Sequence, residues 1–285
     1  MKKIILIHAH KNLDHLNRLI DALDYPTFTI YVNIDKKSSI NINKISSKAV
    51  LIKKRVSVVW GEYSQVESTL NSLRQIVEEQ KDFSHVIFIS GQDYPIKSNF
   101  DIDEFFNNNL SNNFLEYFLV TENNKYHEYL YRVDRKHYPS HRIIERKFHT
   151  AFKLMYKFLT KKEYKIKMIN NYTCYWGSNW WNLSKEVIEF LLQVAEDKKI
   201  INFFKTTWCS DEVFFQVVLL NSHFKEKIIN NNLRYIDWTN CINNPRNLDP
   251  NDFEKIINSE ALFCRKMEIG LSDSLVNLLE KHRNK

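Results

Sequence analysis

Apolar and polar residues alternate in blocks over the first hundred positions. "KIILIHAH" (3–10) and "SHVIFIS" (84–90) are nearly continuous apolar runs of strand length, the pattern of strands covered on both faces. "TFTIYVNID" (27–35) reads as a strand closing on Asp35, and "VSVVWG" (56–61) as a further one. Between them, "LDHLNRLIDALD" (13–24) and "SQVESTLNSLRQIVEEQ" (64–80) repeat apolar residues at i, i+3 and i+4, which predicts helices. Strands alternating with helices predict a mostly parallel, doubly wound α/β sheet. From 107 to 172 the alternation stops and the chain turns polar, aromatic and basic, as in "EYLYRVDRKHYPSHRIIERKFH". The pattern resumes in three helices, "LSKEVIEFLLQVAED" (183–197), "SDEVFFQVVLLNS" (210–222) and "SDSLVNLLEKHRNK" (272–285). The expected organisation is one domain over 1–285: a nucleotide-binding half (1–106), an acceptor-side insertion (107–172) and a catalytic, C-terminal half (173–285).

Composition narrows the chemistry. With 44% hydrophobic and 14% aromatic residues the chain can fill a sizeable core and is too apolar for disorder. A net charge of +7 favours phosphate-bearing partners such as nucleotides, nucleic acid or anionic lipid. The four cysteines are scattered without a C-x-x-C, so they read as reduced thiols rather than a disulfide framework or zinc site. The opening "MKKIILIHAHKN" carries an apolar run of only four residues and is better read as a first strand than as a signal peptide. No stretch approaches the length of a membrane span. A cytoplasmic location is therefore expected, with peripheral association at the inner face of a membrane left open.

"SGQDYP" (90–95) ends a core strand on polar, turn-forming residues, where open α/β sheets bind ligands; an ordinary β-turn is the alternative. Only four glycines occur, and three stand in such clusters: "WGEYS", "SGQDYP" and "WGSNWW". A chain so sparing of glycine keeps it where the backbone or a ligand comes close.

The strings "YVNIDKKSS", "VVWGEYSQVESTLNSL", "ISGQDYPIKS", "YWGSNWWNLSKE", "SDEVFFQVVLLNS", "LRYIDW" and "LFCRKM" follow the order seen in one family. The chain resembles the core-2/I-branching β-1,6-N-acetylglucosaminyltransferases, a family that includes the peptide O-xylosyltransferases. The resemblance runs from Lys3 to about Met267 and is weakest over 107–172. It implies a GT-A-like, Rossmann-type nucleotide-sugar fold and an inverting transferase that works without a divalent metal. No cofactor is expected beyond the UDP-sugar, which is a substrate. Animal members are Golgi membrane enzymes with disulfides; this chain looks like a bacterial, cytosolic relative.

Individual residues follow. Asp35 ends its strand where a carboxylate can meet uracil or ribose, or can simply stabilise the turn. His8 and His10 share a strand face, too few ligands for zinc, and His10 lies near the nucleotide edge. The resemblance adds Tyr63 and Asp93 to the nucleotide-sugar set. Metal-dependent relatives of the fold carry a D-x-D after the strand that here ends in "ISGQD". The literal D-x-D, Asp101 and Asp103, opens a helix and reads as capping. The resemblance instead points to Arg246 and Lys266 as a cationic clamp on the diphosphate, with Arg265 as a possible substitute for Lys266. Glu212 follows a Ser210 read as a helix cap and matches the family's general base, which takes the acceptor hydroxyl's proton. Trp180 and Trp181 are divided between sugar stacking and core packing. Glu116, Arg132 and Arg135 are acceptor-side candidates by position. The expected partners are a UDP-sugar and a glycan or lipid-linked saccharide, not nucleic acid. The donor is N-acetylglucosamine, with xylose or a hexose as the near alternative. From another class, a non-catalytic glycan-binding module competes.

Overall fold

A computed structural model of the chain describes residues 1–284 except 140, 141, 163, 240, 242 and 243. In chain order its elements begin β1 (Lys2–Ala9), α1 (Leu13–Ala22), β2 (Phe28–Ile34), β3 (Ala49–Leu51), α2 (Ser64–Glu79), β4 (Phe83–Ser90) and β5 (Asp93–Pro95). Then come α3 (Asn99–Asn107), β6 (Asn113–Leu115), β7 (Phe118–Leu119), α4 (Ile143–Thr160), β8 (Tyr175–Trp176), β9 (Trp181–Ser184) and α5 (Lys185–Val194). The chain closes with α6 (Lys198–Phe204), α7 (Phe214–Leu220), β10 (Ile228–Ile229), β11 (Arg234–Ile236), α8 (Phe253–Ile257), β12 (Phe263–Arg265) and α9 (Asp273–Arg283).

The main sheet has seven strands in the order β10-β6-β9-β4-β1-β2-β3. β3, β2, β1 and β4 pair in parallel, whereas β9 runs antiparallel between β4 and β6. This is the mostly parallel α/β sheet that the alternation predicts. β1 and β4 are central and buried almost throughout because helices cover both faces, hence their unbroken apolar runs. Side chains alternate across β1: Ile4 and Leu6 pack with α2, α5 and α7, while Ile5 and Ile7 pack with α1, α3 and α9. No helix among the described residues is long and apolar enough to cross a membrane. All four cysteines are free.

Two expected elements change. "VSVVWG" is not a strand, and β3 takes the place beside β2 instead. Its backbone bonds go elsewhere: Val56 C=O accepts from Lys36 N–H at 3.0 Å, Val58 N–H donates to Asp35 Oδ1 at 3.3 Å, and Val59 N–H to Ser64 Oγ at 2.8 Å. "SDEVFFQVVLLNS" is not one helix capped by Ser210. Residues 210–212 form a 3-10 turn, Val213 breaks it (φ −126°, ψ −42°), and α7 begins at Phe214. The segment 107–172, which lacks any alternation in the sequence, supplies β6 to the main sheet and the 18-residue α4.

"GQDYP" makes neither a simple turn nor an open loop. Gly91 carries the chain so close over β1 that a Cβ there would stand 2.7 Å from Ala9 Cβ, and its N–H donates to His8 C=O at 2.8 Å. The residues beyond it form β5, which joins a separate three-stranded sheet, β11-β12-β5.

Candidate active site

The carboxyl ends of β1, β2 and β4 face the small sheet across a cleft of about 870 Å³. Register brings His8 level with Asn33 on β2 and with Ser90 on β4. The Asn33 amide donates to Ser72 Oγ (2.8 Å) and Ser68 Oγ (3.0 Å) on α2. Burial pushes His8 down to about 3, so this imidazole stays neutral near pH 7. His10, at the cleft wall, is also lowered, by burial first and then by the charge of Lys11. Asp35 lines the same end. Its Oδ1 accepts from Lys37 N–H at 2.9 Å and Val58 N–H at 3.3 Å, which ties the 56–61 loop to the cleft.

The small sheet delivers two guanidinium groups. Arg234 on β11 donates from Nη1 to Asn182 Oδ1 at 3.0 Å and from Nη2 to Phe88 C=O at 2.5 Å. Burial lowers its pKa to about 10, with Asp93 opposing that shift. Arg265 on β12 lies over the Trp180 ring at 4.4 Å, with Nη1 3.3 Å from Asp93 Oδ1. Asp93 is wholly buried and accepts from Ser90 N–H (3.1 Å) and Ser90 Oγ–H (2.7 Å). It is the internal counter-ion of the arginine pair rather than a cleft residue.

A third guanidinium stands at the other end. Arg132 Nη1 donates to Glu212 Oε2 at 2.5 Å. Its plane faces Tyr129 at 4.8 Å and Trp176 at 5.4 Å, and these two rings stack 4.1 Å apart. Burial opposes the Arg132 charge, but Glu212 outweighs it and holds the guanidinium above its usual value. Glu212 is anchored through its backbone, whose carbonyl accepts from Gly177 N–H at 2.9 Å. Its side chain is 35% accessible, beside an Arg132 side chain at 11%. Next to it, burial and then the Glu212 charge push Asp211 up to about 7, while Asp211 Oδ2 accepts from Gln65 Nε2 at 2.9 Å. Glu116 also lines the cleft and is raised by burial, against a hydrogen bond from Asn232.

Thus His10, Asp35, Glu116, Arg132, Trp180, Glu212 and Arg265 share one cleft. The other expected residues lie elsewhere. Tyr63 and Trp181 are buried in the core, so of the two tryptophans Trp180 is the one at the cleft. Arg135 pairs with Asp134 at 3.2 Å, outside the cleft. Arg246 is engaged by Asp237 (2.6 Å) and Asp252 (2.5 Å), which spends its charge inside the protein. Lys266 is half-buried and outside the cleft lining, although its charge reaches His10 at the cleft wall; its own pKa is lowered by burial and then by the charges of Lys11 and Arg265. The D-x-D belongs to the opposite end of the sheet: Asp101 N–H is capped by Ser98 Oγ at 3.0 Å, and Asp103 pairs with the buried Lys3 at 2.6 Å. Among the described residues, no group of three or more His, Cys, Asp and Glu is arranged to hold a metal ion.

Arg234 and Asp211 were not singled out from the sequence, although the strings "LRYIDW" and "SDEVFF" contain them. A buried arginine is indistinguishable by pattern from a solvated one in a chain this basic. Several buried polar atoms without a hydrogen-bond partner in the protein, among them Asn33 Oδ1, Arg132 Nε, Trp176 Nε1 and Asn179 Oδ1, belong to the cleft lining. Such atoms are costly unless a polar ligand or water meets them. The guanidinium groups of Arg132, Arg234 and Arg265, flat aromatic faces and the accessible carboxylate of Glu212 can hold an anionic ligand and a polyhydroxyl ring, and can accept a proton from it.

Comparison with known proteins bears on this chemistry. A family model described as Core-2/I-Branching enzyme matches residues 5–258. Xylosyltransferase 2 of Rattus norvegicus and of Homo sapiens are each 22% identical over 306 residues, covering 98% of this chain and 33% of the relative. Xylosyltransferase 1 of Homo sapiens is 22% identical over 305 residues, covering 97% of this chain and 30% of the relative. The chain spans about a third of the length of these relatives.

Proposed function

The chain belongs to the Core-2/I-Branching enzyme family, whose members are glycosyltransferases, and on that premise we propose that it transfers N-acetylglucosamine from UDP-N-acetylglucosamine to a glycan hydroxyl with inversion. The observation that carries this reading is one cleft holding an accessible carboxylate, Glu212, together with the guanidinium groups of Arg234 and Arg265. An inverting displacement needs a base on one face of the sugar and charge neutralisation on the other. Glu212 takes the acceptor's proton, while Arg132 fixes its carboxylate through Oε2 and orients Oε1. Asp35 and His10 meet the nucleoside, and Trp180 with Trp176 offers stacking faces for the sugars. Charge developing on the departing UDP is met by Arg265, with Arg234 behind it, and no divalent metal is required. The cationic clamp therefore moves from Arg246, whose charge is already paired, to the small sheet. A lipid-linked saccharide is an equally suited acceptor.

A second reading keeps the mechanism and changes the donor to UDP-xylose, supported by the names of the relatives. Isothermal titration with both UDP-sugars, followed by UDP release in the presence of acceptor glycans, separates the two. Glu212→Gln should lower kcat by about 10²–10⁴-fold with UDP affinity unchanged. Near-full turnover by that variant would place the base elsewhere. UDP-sugar binding with no release across acceptors would favour a glycan-binding module.

A further inference from the structure

Helix α4 is turned inside out. At helical spacing Ile144, Phe148, Leu154, Phe158 and Leu159 fall on one side, and they are 69%, 74%, 65%, 75% and 70% exposed. The opposite, polar side carries Arg146, His149, Thr150 and Lys153, which line a cavity of about 240 Å³ against Lys205 and Trp208 of the body. A helix on an ordinary water-facing surface does the reverse. The exposed apolar face amounts to on the order of 1,000 Å², whereas the largest patch on a typical monomer is about 300–600 Å². The same segment concentrates the charge. Residues 142–167 hold nine lysines and arginines against two acids, a net +7 that equals that of the whole chain.

We propose that α4 lies in the plane of an anionic lipid bilayer, its apolar face sunk among the acyl chains and its basic residues among the headgroups. The charge chooses this occupant. A second copy of the chain would bring two +7 surfaces together, which repel. A protein partner would meet a lysine at its contact centre, where such interfaces are depleted of lysine, because Lys147 falls within the apolar arc. At a bilayer a lysine there reaches up to the headgroups along its own methylene stem. Amphipathic helices with basic flanks bind anionic membranes by summing buried apolar area and electrostatic attraction.

The surface so formed adjoins the base end of the cleft. His137, which precedes α4, donates its backbone N–H to Thr206 C=O at 2.7 Å and sets its ring 6.0 Å from Trp208. Trp208 lines both the α4 cavity and the cleft that holds Glu212. An acceptor carried on a lipid would thus arrive on the side where its hydroxyl is needed. Membrane binding goes beyond the transfer reading and is measured apart from it.

The test is co-sedimentation of the full chain with extruded vesicles of phosphatidylcholine, alone or with about a third phosphatidylglycerol. Partition should be at least about tenfold stronger on the anionic vesicles and should weaken as salt shortens the Debye length. The triple variant Phe148→Ser, Phe158→Ser, Leu159→Ser alters only exposed positions. It should lose at least about tenfold in partition while keeping wild-type circular dichroism and UDP affinity. Equal partition of the variant, or no preference for anionic vesicles, would overturn the proposal. So would a dimer in sedimentation velocity that the triple variant abolishes while neither protein binds vesicles. Loss of vesicle binding would leave transfer to a soluble acceptor intact, so the two readings fail separately.

Discussion

Gly177→Ala is the smallest change that should disable the cleft. A Cβ at this position would stand 2.0 Å from the Glu116 carbonyl oxygen, 2.8 Å from its carbon and 3.0 Å from Tyr117 Cα. All three are backbone atoms of the link between β6 and β7, so no side chain can swing aside. Restoring ordinary contact at 3.4 Å from that oxygen requires a displacement of about 1.4 Å. The displaced residue holds Glu212 through its N–H and follows Trp176 directly, so the proposed base and a proposed stacking face move with it. Overpacking of this kind costs about 1–3 kcal/mol, and a misplacement of about 1 Å can cost on the order of 10²-fold in rate. We therefore expect kcat to fall about 100-fold and Tm by several degrees, with UDP affinity nearly unchanged because the contacts proposed for it, at the ends of β1 and β2 and at Arg265 on β12, do not involve Gly177. Gly270→Ala is the control: a Cβ there meets nothing within 4 Å, and the positive φ of 85° costs only local strain. That variant should lose about 1 kcal/mol and no activity. If Gly177→Ala keeps kcat within about threefold and an unchanged Tm, the geometric coupling between the glycine and Glu212 is wrong.

Arg265→Ala should lower kcat by about 10²–10³-fold and weaken UDP binding, with Arg265→Lys a partial rescue in steady-state assays. Arg246→Ala should leave kcat unchanged and cost about 1–3 kcal/mol in urea unfolding, because it strands the Asp237 and Asp252 carboxylates; a large fall in kcat would return it to the clamp. Asp211, raised from 3.8 to about 7, keeps in the folded state a proton that the unfolded chain has lost, so stability falls as pH rises through that window. Asp211→Asn removes this penalty: its unfolding free energy should match wild type near pH 4 and exceed it by about 2–4 kcal/mol at pH 8, and parallel pH profiles would refute the assignment. Transfer should survive excess EDTA, and activity abolished by chelation and restored by Mn²⁺ would refute the guanidinium clamp.

Periodicity and local chain geometry account for the parts of this protein that are legible along the chain. Unbroken apolar runs identify β1 and β4 as strands buried on both faces, because only a sheet covered by helices tolerates them. The polar residues that follow β2 (Asp35) and end β4 (Ser90) are both found at the cleft, since parallel strands deliver their carboxyl ends to one side. Periodicity reports which side of an element is buried, not which distant charge it meets. Arg246 and Arg265 look alike along the chain. Tertiary structure gives Arg246 to Asp237 and Asp252, and sets Arg265 over Trp180 beside the buried Asp93. The pairing of Arg132 with Glu212 spans 80 positions, so no local pattern encodes it. "VSVVWG" has a strand's composition, yet Asp35 and Ser64 claim its amides and β3 takes its place in the ladder. In α4 the apolar stripe is legible in the residues, but only the tertiary placement of Arg146, His149 and Lys153 along the cavity shared with Lys205 and Trp208 leaves that stripe facing outward.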